Sequence, residues 1–228
     1  MKRKIKNILF ITGSRGEWGY IRPILRLIQK DSDLDYKLCV TNMHLLPSYG
    51  SPIDEIINDY PNKIIVRYED ALKFNYLNQF SKNVVITSNL PFNIATPLLI
   101  NWLSVDPWPG WWSRMILMFQ KEVAERITAE PCNKNYGRLS VISQCRAKCK
   151  ILLKVNSTAF YPAPKVDSSI VLFEPLKDLE VEIKTIEKIT RHAFGQRRKM
   201  LKSSLKSIIP DTTYFLKAIN IDAEKRAE

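Results

Sequence analysis

Asn7–Gly19 reads NILFITGSRGEWG: a short apolar run, a turn studded with glycine, and the start of a charged segment. The run NILFIT, closed by Gly13, has the length and residue types of a buried strand. Beyond the turn, Ile21, Ile24, Leu25 and Ile28 fall at i, i+3, i+4 and i+7, the apolar stripe of an amphipathic helix. A second β-rich run, YKLCVT (36–41), follows. Strand, helix and strand in this order predict a parallel pair, because parallel strands need a crossover long enough to carry a helix.

The alternation continues outward from this opening. After the Pro/Gly/Ser-punctuated loop HLLPSYGSP come the helix IDEIIND, the strands KIIVRY and NVVIT, the helix TPLLINWL and the strand RMILMF. The helices KEVAERITA and GRLSVISQC, the strand KILLKV and a last strand SSIVLFEP complete it. The pattern predicts an α/β fold with a Rossmann-like, doubly wound, mostly parallel sheet. From Glu182 onward the pattern is purely helical, with Ile183, Ile186, Ile189 and Ala193 on one stripe and Leu201, Leu205 and Ile208 on another. The expected division is therefore a segment 1–57 completing the sheet, a core 58–176 and a small C-terminal helical domain 177–228.

The chain has 228 residues and is 45% hydrophobic, enough for a sizeable core. No apolar run approaches the roughly 20 residues of a membrane helix, so a cytoplasmic protein without an export signal, acting apart from membranes, is expected. The formal charge is +12, most of it downstream of Asn58. A basic surface favours phosphate polyanions through counterion release, which makes nucleic acid the leading partner class, an anionic membrane surface the second, and a plain solvated face the alternative to both. Cys39, Cys132, Cys145 and Cys149 are too dispersed for a zinc quartet and read as reduced, packed thiols, with Cys145 and Cys149 able to share a helix face at i, i+4. No metal site is expected.

The chemistry concentrates in Asn89-Leu90-Pro91-Phe92, which follows the strand VVIT and so falls at the carboxyl edge of the sheet, where open α/β folds bind ligands. An exocyclic adenine amine is a poor nucleophile because its lone pair is delocalised into the ring. A site that alkylates it needs acceptors for the two N–H bonds and a flat apolar face for the base. The Asn89 carboxamide oxygen and the backbone carbonyl of Leu90 or Pro91 can supply the acceptors. Phe92 can supply the face, and base–aromatic stacking contributes about 1–3 kcal/mol. The same four residues also suit a plain strand-to-helix turn, with Asn as cap and Pro as punctuation.

From about Tyr60 onward the runs EDALKF, ITSNLPFNIATPLL, LMFQKEVAERITA, YGRLSVISQ, AFYPAPKVDSSIV and HAFGQRRKMLKSSLK resemble the small-subunit rRNA adenine N6,N6-dimethyltransferases. That resemblance implies S-adenosylmethionine as methyl donor, two adjacent adenosines of small-subunit rRNA in the pre-30S particle as target, and a monomer. It implies that Asp70 accepts from the donor's adenine amine and that Asn89 sits where donor and target meet. Phe92 stands where the family usually has tyrosine, and Phe160 is the candidate for the opposite face of the target base. The family holds rRNA with its appended domain, which implies a binding role for Arg197, Arg198, Lys199, Lys202 and Lys206. In GQRRKMLKSSLKSII, Arg198, Lys202 and Lys206 recur at i, i+4 and i+8, as a row of cations on one helix would. Lys121, Arg126, Arg138 and Lys165 are further candidates for phosphate contact.

The opening turn departs from this family. A Glu-x-Gly-x-Gly-x-Gly motif is expected after the first strand and an acidic residue after the second, yet the chain has TGSRGEWG and VTNMH. Gly13 alone occupies a plausible donor-binding position. Residues 1–57 instead resemble the start of the hydrolysing UDP-N-acetylglucosamine 2-epimerases, in which the residues matching Arg15 and the His44 region serve the sugar nucleotide. The sequence thus reads as a chimera near Asn58. Three functions are weighed: a dimethyltransferase impaired at the donor site, a non-catalytic RNA-binding remnant, and a UDP-sugar epimerase fragment.

Overall fold

The first strand, β1 (Lys6–Thr12), pairs in parallel with β2 (Leu34–Val40) across the helix α1 (Arg15–Ile28), as its opening pattern predicts. The computed structural model describes residues 6–13, 15–45, 53–66, 69–80, 83–161, 163–177, 181–196 and 198–228, with the side chains of Arg15, Asn42, Met43, Ile65 and Val66 outside that description. Arg197 also lies outside the described residues.

Next come α2 (Ile53–Asp59), β3 (Ile64–Val66), β4 (Val84–Asn89), α3 (Phe92–Leu103), β5 (Trp112–Gln120), α4 (Lys121–Ile127) and α5 (Arg138–Arg146). The strands β6 (Ala147–Val155) and β7 (Ser168–Pro175) finish the sheet, and α6 (Ile183–Gly195), α7 (Leu201–Ser204) and α8 (Thr212–Ala218) form the C-terminal end. Among the described residues the sheet has seven strands in the order β3-β2-β1-β4-β5-β7-β6. Its first five strands are parallel, whereas β7 runs antiparallel between β5 and β6. The last strand in sequence is therefore an internal one.

Alternating side chains divide between two layers, because successive residues of a strand point to opposite faces. Leu9, Ile11, Ile86, Met115, Leu117 and Phe119 pack under α3 and α4, together with Tyr76, Trp102 and Trp111. Phe10, Leu38 and Val40 pack on the other face with Trp18, Ile21 and Leu25 of α1 and Ile56 of α2. The boundary expected near Asn58 falls inside α2. Tyr60, just beyond it, meets the Trp18 ring edge-on at 5.5 Å, so the two stretches of sequence share one core.

Two local expectations are corrected. Cys145 lies on α5 and Cys149 on β6, since the helix ends at Arg146 and the chain becomes extended at Ala147. All four cysteines are free thiols, and burial pushes Cys39 up to about 11 and Cys149 up to about 12. The continuous basic helix is also absent. α6 stops at Gly195, Met200 is extended (φ −68°, ψ 154°), and α7 spans only Leu201–Ser204. The free N–H groups that begin α7 are satisfied by distant chain, Leu201 N donating to the Lys225 carbonyl at 2.8 Å and Lys202 N to that of Ala223 at 3.1 Å. Leu205 and Leu216 close a small apolar cluster there with Ala193. These contacts break the helix that the local pattern favours.

Candidate active site and nucleic-acid interface

β4 delivers Asn89 to the carboxyl edge of the sheet, and its buried neighbour Ser88 donates to the Ile11 carbonyl at 2.6 Å, tying this edge to β1. The Asn89 carboxamide is half-buried and has no protein partner among the described residues. The next two carbonyls differ in availability. That of Pro91 accepts from Ile94 N at 3.0 Å and Ala95 N at 3.1 Å, the first bonds of α3. The helix thus uses the Pro91 acceptor, which leaves the Leu90 carbonyl as the backbone acceptor beside Asn89. Proline fixes this geometry with φ −53° and ψ 131°, outside the helical region, so α3 begins only at Phe92. Phe92 stays 39% exposed, so its ring is available to a ligand.

Asn89, Leu90, Pro91 and Phe92 line a cavity of about 240 Å³ together with Met118, Phe160 and Ser168. Phe160 comes from the loop between β6 and β7, so the antiparallel insertion of β7 carries this second ring to the same cavity. The opposite wall is formed by Gly16, Glu17 and Tyr20 of α1. None of these three was singled out in the sequence. Their i, i+1, i+4 spacing on an amphipathic helix is a signal that only the docking of α1 makes meaningful.

The two residues expected on the donor side, Asp70 and Gly13, lie in different surroundings. Asp70 is exposed, with Oδ1 accepting from Leu72 N at 3.0 Å. It does not line the cavity. Gly13 is buried, and its N–H donates to Glu17 Oε2 at 2.6 Å. The turn after β1 therefore already holds a carboxylate. Thr12 Oγ1 and the fully buried His44 Nε2 lie 3.0 Å apart next to it, and β2 leads into Thr41 with no carboxylate following. The resemblance assigns the adenine and sulfonium ends of S-adenosylmethionine to Asp70 and Asn89. Its amino-acid end does not fit the β1 turn as it stands, because the Gly13 donor is occupied by an anion of the same kind.

The cations are distributed over two regions. Arg126, Lys134 and Arg138 line a cleft of about 460 Å³ with Thr96 and Ile100 of α3 and Phe194 of α6. The Arg138 Nε is buried without a hydrogen-bond partner, whereas Arg126 pairs with Glu122 one turn away on α4. Phe92, Thr96 and Ile100 follow one another at i, i+4, i+8, so one face of α3 leads from the cavity to this cleft. In the C-terminal region Arg198, Lys199 and Lys206 are exposed, but Lys202 is paired with Glu224. The local absence of acidic residues gave no warning of that partner. Lys121, the first residue of α4, and Lys165, in the loop before β7, are exposed.

A curated relative, the ribosomal RNA small subunit methyltransferase A of Xanthobacter autotrophicus, is 48% identical over 176 residues, 76% of this chain and 61% of the relative. Its counterpart in Bradyrhizobium diazoefficiens is 44% identical over 77% of this chain and 63% of its own length. The chain thus spans about three-fifths of the length of the curated relatives it matches. A crystal structure of a dimethyladenosine transferase from Plasmodium falciparum superposes with a TM-score of 0.73, covering 99% of this chain and 86% of that one at 24% identity, which shows a shared fold. The family described as ribosomal RNA adenine dimethylase matches residues 54–228, more than half of the chain, and the protein belongs to that family.

Proposed function

We propose that this chain dimethylates two adjacent adenosines of small-subunit rRNA with S-adenosylmethionine as donor, and that its donor binding is weakened by its N-terminal segment. The observation that carries the reading is the Asn89 carboxamide, without a partner among the described residues, beside the exposed Phe92 and the Phe160 ring in one cavity. An adenine entering that cavity presents two N–H bonds. The Asn89 oxygen accepts one and the Leu90 carbonyl the other, while Phe92 and Phe160 hold the base between apolar faces. Acceptors on the N–H bonds fix the orientation of the amine and raise the electron density on its nitrogen. No separate base is required if nitrogen attacks first, since its proton becomes strongly acidic once the fourth bond forms. Catalysis is then orientation and electrostatics.

The strand would be held by phosphate contacts in the cleft of Arg126 and Arg138 and by Arg198, Lys199 and Lys206, with Lys121, Lys165 and Lys202 in supporting positions. Such contacts position RNA without reading its sequence. In this reading the protein works as a cytoplasmic monomer on the pre-30S particle. Its residues 1–57 derive from an epimerase-like segment that completes the sheet but brings Glu17 into the donor's cradle. That occupied cradle also supports a second reading, an RNA-binding protein that has lost methyl transfer.

One experiment separates the two. The protein is incubated with labelled donor and undermethylated small subunits, beside Asn89→Ala and a version carrying a family-type N-terminal segment in place of residues 1–57. Slow methylation by the protein, abolished in Asn89→Ala and accelerated by the replacement, supports the proposal. RNA binding without any label transfer supports the second reading, and equal rates in all three proteins would refute the site.

A further inference from the structure

Tyr20 lies on α1, outside the family-matched residues 54–228, yet it reaches the loop that carries Phe160. The two rings meet edge to face, with centroids 5.3 Å apart and planes at 89°. The Tyr20 hydroxyl also accepts from the Tyr161 backbone N–H at 3.4 Å. Among the described residues Tyr20 is the only aromatic partner of Phe160. Both rings, together with Asn89 and Met118, line two cavities: the one containing Phe92, and an apolar one of about 300 Å³ walled by Phe10, Ile24, Ile116 and Ile170. The Tyr20–Phe160 pair therefore forms the aromatic part of the wall the two cavities share.

A half-buried phenylalanine on a loop, next to an apolar chamber large enough to receive it, has an alternative position that burial favours. The edge-on contact with Tyr20 opposes that movement. Gly16, one turn before Tyr20 on the same face of α1, leaves open space beside the pair, since a Cβ there would meet nothing within 4 Å. We infer that Tyr20 is a positioning residue, a latch that holds the Phe160 ring as the second wall of a purine slot, so that base selection in this chain depends on its N-terminal segment. This rests on the proposed adenine reading of the cavity and adds to it a residue that the family-matched part does not contain.

The test measures equilibrium binding of a short single-stranded RNA with two adjacent adenosines, against the same RNA made abasic at both positions. The ratio of the two affinities reports the slot, while phosphate contacts cancel. The intact protein should prefer the adenosine RNA by roughly 5-fold or more, as stacking of one base implies. Tyr20→Ala should lose most of that preference with unchanged affinity for the abasic RNA. Tyr20→Phe, which keeps the ring, should retain it. In a Phe160→Ala background, Tyr20→Ala should have no further effect, because its action runs through Phe160; thermal unfolding of each variant checks that the fold is kept.

A full preference in Tyr20→Ala, or an added loss in the Phe160→Ala background, would overturn the latch while leaving the adenine slot standing. Absence of any preference in the unaltered protein would instead overturn the adenine reading, and the latch with it.

Discussion

Glu17 makes the sharpest test of how the N-terminal segment alters the site. Its carboxylate is 6% exposed and accepts the Gly13 N–H at 2.6 Å. A hydrogen bond to a charged group contributes about 1.5–3 kcal/mol net. A ligand carboxylate seeking the same N–H must displace it, and at about 1.4 kcal/mol per tenfold the loss is roughly 10- to 100-fold in affinity. Glu17→Ala should therefore tighten S-adenosylmethionine by about 10-fold or more, measured by titration calorimetry. Without donor the variant should be less stable by about 1–3 kcal/mol in denaturant unfolding, because a buried N–H loses its partner. Added donor should recover more stability in the variant than in the parent. Equal or weaker donor binding by a folded Glu17→Ala protein would refute the idea that this side chain blocks the cradle.

Other consequences follow from particular contacts. Arg138→Ala should weaken single-stranded RNA binding and lower the slope of log K against log salt by about 0.7, the release of one counterion; an unchanged slope would remove Arg138 from the interface. Gly110 has φ +76°, and a Cβ there would stand 2.4 Å from Val105 Cγ2, so Gly110→Ala should cost at least about 1–2 kcal/mol in unfolding experiments from backbone strain alone. Lys63 bonds Asp35 Oδ1 at 2.5 Å, and this hydrogen bond, helped by the Tyr36 backbone N–H, holds the Asp35 carboxyl below its usual range. A depressed carboxyl pKa stabilises the fold above the unfolded value and loses that contribution as pH falls through the folded one. Lys63→Met should thus cost up to about 1 kcal/mol near neutral pH. The difference should vanish in acid, and a cost that persisted there would point to lost packing instead.

Much of the molecule was legible in the residues themselves. The alternation of β-rich runs with helical stripes foretold a doubly wound sheet, and the position of Asn89–Phe92 after a strand placed the loop at the sheet's carboxyl edge. Those features depend on local periodicity and on the stiffness of proline, which neighbours in sequence determine. The choice between the Leu90 and Pro91 carbonyls was not legible. It turned on which of them the first turn of α3 takes, a matter of where the helix begins by a single residue.

What the sequence by itself determined is the kind of sheet, the loop that lines the cavity and the polar, aromatic and basic residue types available around it. Tertiary structure alone decided that β7 enters between β5 and β6, that Tyr20 meets Phe160, that Glu17 fills the turn after β1 and that Lys202 finds Glu224. Each of these joins groups whose meeting depends on how whole elements dock. Burial of apolar faces drives that docking without direction, and the polar and aromatic contacts that result depend on angles and registers that no local pattern encodes.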